Sequence, residues 1–155
     1  MLPKHRRLSD CMDALPRIIG IDYGTQRIGL AMSDPLRLYA QSLGAYSSDE
    51  AIRQLASLNT DPGFDTIVVG WPLTLSGEEG PATDVVQPFI RLLSRRFPGK
   101  KVVMQDERYS SVRARNLLVR SGVRKKARRR KERIDAAAAA VILQDYIDET
   151  QEQTS

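Results

Sequence analysis

The stretch RIIGIDYGTQRIGLAMSD, residues 17–34, decides the fold. Ile18 to Asp22 and Ile28 to Ser33 are apolar runs that read as strands, and Tyr23-Gly24-Thr25-Gln26 between them reads as a turn in which Gly24 supplies a positive φ. The two strands make a hairpin. The first ends on a carboxylate, Asp22, and an acid at a strand tip is either a turn-former or a group presented to a ligand.

Working outward, Tyr39 to Tyr46 is a weaker third strand. Ser48-Asp49-Glu50 caps a helix whose apolar residues Ala51, Ile52, Leu55 and Leu58 share one face, and Asp61-Pro62-Gly63 ends it. Thr66 to Val69 is a short continuous apolar run, the pattern of a strand covered on both sides. The loop from Gly70 to Pro81 leads into a helix from about Thr83 to Arg96. Lys101 to Gln105 then reads as another buried strand, closed by Asp106-Glu107-Arg108. Ser110 or Ser111 can cap a helix to about Arg120, with Gly122 as its stop, and a last helix is expected from about Ile134 to Asp148. Residues 1–16 read as a flexible leader and 149–155 as a polar tail, leaving one domain over 17–148. Antiparallel strands first, then alternating strands and helices, predict an α/β domain with a mixed sheet.

With 155 residues, 41% hydrophobic and 28% charged, the chain can bury a core of its own. No run approaches the roughly 18 apolar residues of a membrane span, so a soluble, cytoplasmic protein is expected. The single cysteine, Cys11, excludes an intramolecular disulfide and a thiolate metal cluster, and the single histidine, His5, stands in the polar leader without partners.

The net charge of +5 is unevenly placed. Arg120, Arg124, Lys125, Lys126, Arg128, Arg129, Arg130, Lys131 and Arg133, offset only by Glu132, put +8 between residues 120 and 133 and leave the rest of the chain at −3. A local block of this kind suits a polyanion, although a solvated basic loop would have the same composition.

Three acids sit where a rigid backbone can deliver a side chain to a common cleft: Asp22 at the first strand tip, Glu107 just past the last strand, and Asp135 in the first turn of the last helix, where the helix dipole favours its ionised form. Convergent carboxylates repel, and without a cation one of them takes up a proton. With oxygen ligands only, the matching cation is a hard one, Mg²⁺ or Mn²⁺, and ions so held can activate water against a phosphodiester. Each acid also has an ordinary explanation: Asp22 as an Asx-turn on Gly24 and Thr25, Asp135 as a helix N-terminal acid, Glu107 as a surface partner of Arg108 or Arg113. Asp34 and Asp106 are weaker candidates of the same kind.

Four segments carry a resemblance. IIGIDYGTQRIGLAMSD, IVVGWPLTLSGEEG, VVMQDERYSS and RIDAAAAAVILQDYI occur in the order and spacing of the YqgF/RuvX family, bacterial proteins similar to the Holliday-junction resolvase RuvC. The resemblance covers Arg17 to Ile147. It implies an RNase H-like fold with a five-stranded mixed sheet, and a nuclease that processes the 5′ end of precursor 16S ribosomal RNA, a family that also bears the older label of Holliday-junction resolvase. By motif, Asp22, Glu107 and Asp135 are its catalytic, metal-holding acids, with Mg²⁺ or Mn²⁺ as cofactor. The partner is nucleic acid, an rRNA precursor or branched DNA, bound by a monomer or weak dimer. Arg108 and the block Arg124, Lys125, Lys126, Arg128, Arg129, Arg130, Lys131 and Arg133 would hold phosphates, Arg108 being equally suited to pair with its neighbouring acids. Gly24 and Thr25 would let the backbone approach substrate, or simply turn the chain. The sequence departs from the family in Trp71, which fits either base stacking or loop packing, in its long leader, and in its Arg-rich approach to the last helix.

Two other readings compete. D-x-G-T between strands also resembles the phosphate-binding hairpin of actin-like ATPases, although 155 residues leave little room for the second lobe those proteins close over nucleotide. A non-catalytic RNA-binding or ribosome-assembly factor would need only the basic block.

Overall fold

The computed structural model describes residues 16–108 and 131–154, with backbone alone for 131–135 and 154. Five strands form one sheet: β1 (Arg17–Tyr23), β2 (Ile28–Ser33), β3 (Ala40–Tyr46), β4 (Phe64–Trp71) and β5 (Lys101–Asp106). Helices α1 (Ser48–Thr60), α2 (Pro81–Arg96) and α3 (Lys131–Thr154) cover it. The order across the sheet is β3-β2-β1-β4-β5. β2 runs antiparallel to both β1 and β3, whereas β4 is parallel to β1 and β5 to β4, so the expected mixed sheet with its leading hairpin is present. The leader (residues 1–15), the expected helix from Ser110 to Arg120, and the block from Arg120 through Arg130 lie outside the described residues.

Strand alternation divides the core in two. On one face Ile19 and Ile21 of β1, Leu30 of β2 and Ile67 and Val69 of β4 meet Leu55 of α1 and Phe89 and Leu93 of α2. On the other, Ile18, Ala31 and Val68 meet Ala139, Ile142, Leu143 and Ile147 of α3. Because β1 and β4 are buried on both sides, their sequences are continuous apolar runs rather than alternating ones. Gly20 belongs to the α3 face, where a Cβ would come within 2.6 Å of the Leu143 Cβ and 2.9 Å of the Ala139 carbonyl oxygen. Glycine here sets how closely the helix can lie on the central strand.

Several boundaries differ from the sequence expectation. The N-cap of α1 is Ser47, not Ser48: its hydroxyl accepts from the Glu50 N–H while the Glu50 side chain accepts from the Ser47 N–H, a full capping box. β4 extends beyond Thr66–Val69 at both ends. β5 is an edge strand rather than a buried one, with Met104 52% exposed, since nothing in a run of apolar residues says whether a second neighbour will pair with it. The residues expected to form a polar tail remain helical through Thr154. Thr150 donates back to the carbonyls of Tyr146 and Ile147, and the Glu149 carboxylate accepts from Gln105 of β5, so local and tertiary bonds carry the helix past its last apolar residue.

Candidate active site

Strand parity places the acids. Ile18, Gly20 and Asp22 alternate onto the α3 face of β1, Val68 and Gly70 onto the same face of β4, and Val103 and Gln105 onto that of β5, with Glu107 next in phase. All three strands run in one direction, so Asp22 and Glu107 leave the same edge of the sheet from strands separated only by β4. The backbone is kept in register past the strand end by the Glu107 N–H, which donates to the Trp71 carbonyl at 3.2 Å.

The gap between the acids is closed across Gly70. A Cβ on that residue would collide with Glu107 Oε2 and come within 2.7 Å of the Ile142 Cδ1, so the glutamate carboxyl lies directly over the glycine. There it is hydrogen-bonded to the side chain of Asp22. Burial, then the charge of Asp22 and its hydrogen bond, then the charge of Asp106 raise the Glu107 carboxyl from its ordinary 4.5 to about 8. With Glu107 raised that far, the pair carries a proton near neutral pH, and that proton is what lets two carboxyls lie against each other.

That proton tests the site for a cation. Two carboxyls are pressed together in a half-buried position at the cost of protonating one, and a doubly charged ion would relieve the same repulsion. The donors are oxygens alone, which suits Mg²⁺ or Mn²⁺ and not a thiophilic metal. Among the described residues no third His, Cys, Asp or Glu joins the pair.

Asp135 is described by its backbone only. The chain is already helical at Lys131, so Asp135 lies beyond the first turn rather than in it. It precedes by one turn Ala139, whose carbonyl faces Gly20, two residues before Asp22.

The remaining candidates separate clearly. Arg108 makes the acid pairing that one of its two readings names: it holds Asp106 through Nε and Nη2 at 2.7 to 3.2 Å, and its Nη1 donates to the Leu75 carbonyl at 3.5 Å. The guanidinium so bonded holds Asp106 below the usual carboxylate range, with partial burial opposing. Asp34 is a loop-former, accepting from the N–H groups of Leu36, Leu38 and Tyr39 at the opposite end of the sheet. Gly24 does not have the positive φ expected of it. Its need is steric instead: its N–H donates to the Arg27 carbonyl, and a Cβ would lie 2.5 Å from that oxygen. Thr25 is exposed in the same turn. Trp71 is partly buried against the α1/α2 side of the core, the contact its packing alternative calls for. Lys131 and Arg133 lie on α3 as backbone, while Arg124, Lys125, Lys126, Arg128, Arg129 and Arg130 lie outside the described residues. Gly70 carries no signal of its own in the sequence: it stands inside the second of the four motifs, but its use depends on which strands become neighbours.

The family model described as RuvX, Holliday junction resolvase, matches residues 16–149. The chain belongs to the RuvX family. A relative from Chlorobaculum tepidum, named "Putative pre-16S rRNA nuclease", is 46% identical over 132 residues, which are 85% of this chain and 93% of that one. A Salinibacter ruber protein of the same name is 46% identical over 134 residues, 86% and 94% of the two chains. Among solved structures, the fowlpox virus resolvase with its Holliday junction DNA aligns over 86% of this chain and 98% of its own, with 13% identity and a TM-score of 0.54. T. thermophilus RuvC with its Holliday junction substrate aligns over 88% and 96%, with 16% identity and a TM-score of 0.52. At those identities the two resolvases show the fold, which is RNase H-like as the four family motifs implied. No helix among the described residues is long and apolar enough to cross a membrane.

Proposed function

We propose that this RuvX-family chain is a divalent-metal-dependent endonuclease that hydrolyses phosphodiester bonds in nucleic acid, with the 5′ region of pre-16S rRNA as its substrate. The observation that carries the chemistry is the Asp22–Glu107 pair, two carboxyls delivered by separate strands, hydrogen-bonded side chain to side chain with Glu107 lying over Gly70. The substrate follows from the names of relatives that match the chain over most of its length.

In this reading Asp22, Glu107 and Asp135 hold Mg²⁺ or Mn²⁺. Such an ion supplies Lewis acidity to a phosphoryl oxygen and a more acidic bound water. With such an ion held there, Glu107 would be ionised, its proton given up to solvent, and Asp22 would contribute a second negative charge. Arg108, fixed on Asp106, keeps the strand end in place beneath Glu107. The basic residues from Arg124 to Arg133 neutralise substrate phosphates beside an otherwise acidic cleft. The family description favours a second substrate, a four-way DNA junction, for the same site.

The deciding experiment is Asp22→Ala in the full chain, assayed with Mg²⁺ on a pre-16S 5′-leader RNA and on a four-way junction. Cleavage should be lost while binding is kept or improved, because a negative charge has left the cleft. Cleavage at the parent's rate would refute the metal role and leave the rival of a non-catalytic RNA binder.

A further inference from the structure

The loop that follows β4, between Trp71 and the start of α2 at Pro81, carries the most exposed large apolar side chain among the described residues, Leu75 at 74%. Exposed leucines are common on surfaces, and one by itself means little. This one is held in a fixed place. The Thr74 N–H donates to the Glu78 carbonyl and the Gly77 N–H to the Thr74 carbonyl, both at 2.8 Å. The Thr74 hydroxyl accepts from the Glu78 N–H at 3.0 Å and lies 2.9 Å from the Ser76 hydroxyl. Gly77, at φ +87, brings the backbone so near Arg108 that a Cβ there would be 3.2 Å from Nη1. Arg108 then ties the Leu75 carbonyl to Asp106, on either side of Glu107.

The loop is thus braced to Asp106 and Arg108, the residues on either side of Glu107, and the apolar group it presents is 74% exposed. We propose that Leu75 is a substrate-positioning residue that packs against the face of an unpaired, unstacked nucleobase next to the phosphate delivered to Asp22 and Glu107. The proposal rests on the nucleic-acid reading above and deepens it, assigning a preference for unpaired substrate to one side chain. Physical selection is simple: a continuous duplex offers phosphates but no accessible base face, whereas a single strand or a branch offers both. Trp71, the other stacking candidate in the sequence, is partly buried against the α1/α2 side of the core.

The test compares Leu75→Ser and Leu75→Met with the parent, using fluorescence anisotropy in EDTA on a labelled 20-nucleotide single-stranded RNA and on its blunt duplex. Leu75→Ser should weaken single-strand binding about fivefold or more, the order expected for losing a partly buried leucine contact. Duplex binding should stay within about twofold, since phosphate contacts are untouched, and Leu75→Met should restore the single-strand affinity. Equal weakening on both probes, or no weakening on either, overturns the positioning role while leaving the nucleic-acid reading in place. A parent that binds neither probe overturns that reading and the role of Leu75 with it.

Discussion

Glu107 Oε2 occupies the space that a Cβ on Gly70 would need. The glycine stands on β4, between the strands that deliver the two acids, and its missing side chain is the opening through which Glu107 reaches Asp22. The site is therefore built from three strands, not two. One contributes a charge, one a titrating acid, and the middle one contributes empty space.

Gly70→Ala should disable the site without removing any acid. The new methyl must displace either the end of Glu107, which is flexible, or Ile142, which is wholly buried in the α3 core, and the flexible group yields first. Cleavage should fall by about a hundredfold, the order expected when a reacting group is misplaced by roughly an ångström. Melting temperature should change far less than for a core truncation. An alanine variant that cuts at the parent's rate would show that Glu107 does not need its place over residue 70.

Glu107 makes stability and metal affinity depend on pH in opposite directions. Its folded-state pKa of about 8 exceeds the ordinary 4.5, so between those values the folded chain binds the extra proton and the unfolded chain does not. Metal-free stability is accordingly greatest below about pH 4.5 with respect to this group and is lost as pH rises toward 8, by on the order of a few kcal/mol. Cation binding expels that proton, so affinity for Mg²⁺ or Mn²⁺ should climb over the same range and level off near pH 8. Glu107→Gln, which cannot ionise, should flatten both dependences. Thermal melts in EDTA and in Mn²⁺ from pH 5 to 9 measure them, and a parent curve parallel to that of the glutamine variant would contradict the assignment.

The hairpin, the mixed sheet and the strand-end positions of Asp22 and Glu107 could be read from the sequence because each has a local cause. Ile18 to Asp22 and Ile28 to Ser33 are apolar runs around a short turn, and the acids stand at element ends. What could not be read depends on neighbours remote in the chain. Val102 and Val103 look like a buried strand whether or not a second strand pairs with them, yet β5 is an edge. Gly70 looks like any glycine before a loop until β1 and β5 flank it. Helix α3 outlasts its apolar residues because Glu149 meets Gln105 across the fold, a contact with no signature in either segment.

Asp34 offers the converse case, an acid with the same strand-end signature and a different use. Its carboxylate accepts three backbone N–H groups from Leu36, Leu38 and Tyr39. Partial burial pushes its pKa upward, but those three bonds together outweigh it and hold the group below 3.8. They also fix the loop in which Arg37 takes a φ of 60 and pairs with Asp65 through two hydrogen bonds. Asp34→Ala should cost about 1–3 kcal/mol of stability, less than buried bonds of this kind because the loop is exposed. Its stabilising effect is present above pH 3.8 and lost as the pH falls through the lower folded-state value. Cleavage per folded molecule should be unchanged. Loss of activity without loss of stability would move Asp34 into the site despite its position at the far end of the sheet.

The basic block and the acid pair should separate in their response to salt. If Lys125, Lys126, Arg128, Arg129 and Arg130 each neutralise one phosphate of a single-stranded substrate, replacing all five with glutamine should reduce the slope of log K against log salt by about 3.5. The substitution removes long-range attraction, so KM should rise steeply while the rate at saturation stays near the parent's, because the groups that meet the reacting phosphate are unaltered. Asp22→Ala should do the reverse, abolishing turnover with the salt slope preserved. Binding titrations and saturation kinetics at a series of KCl concentrations distinguish these patterns. An unchanged slope in the glutamine variant would assign the phosphate contacts elsewhere on the chain and leave the basic run as a solvated segment.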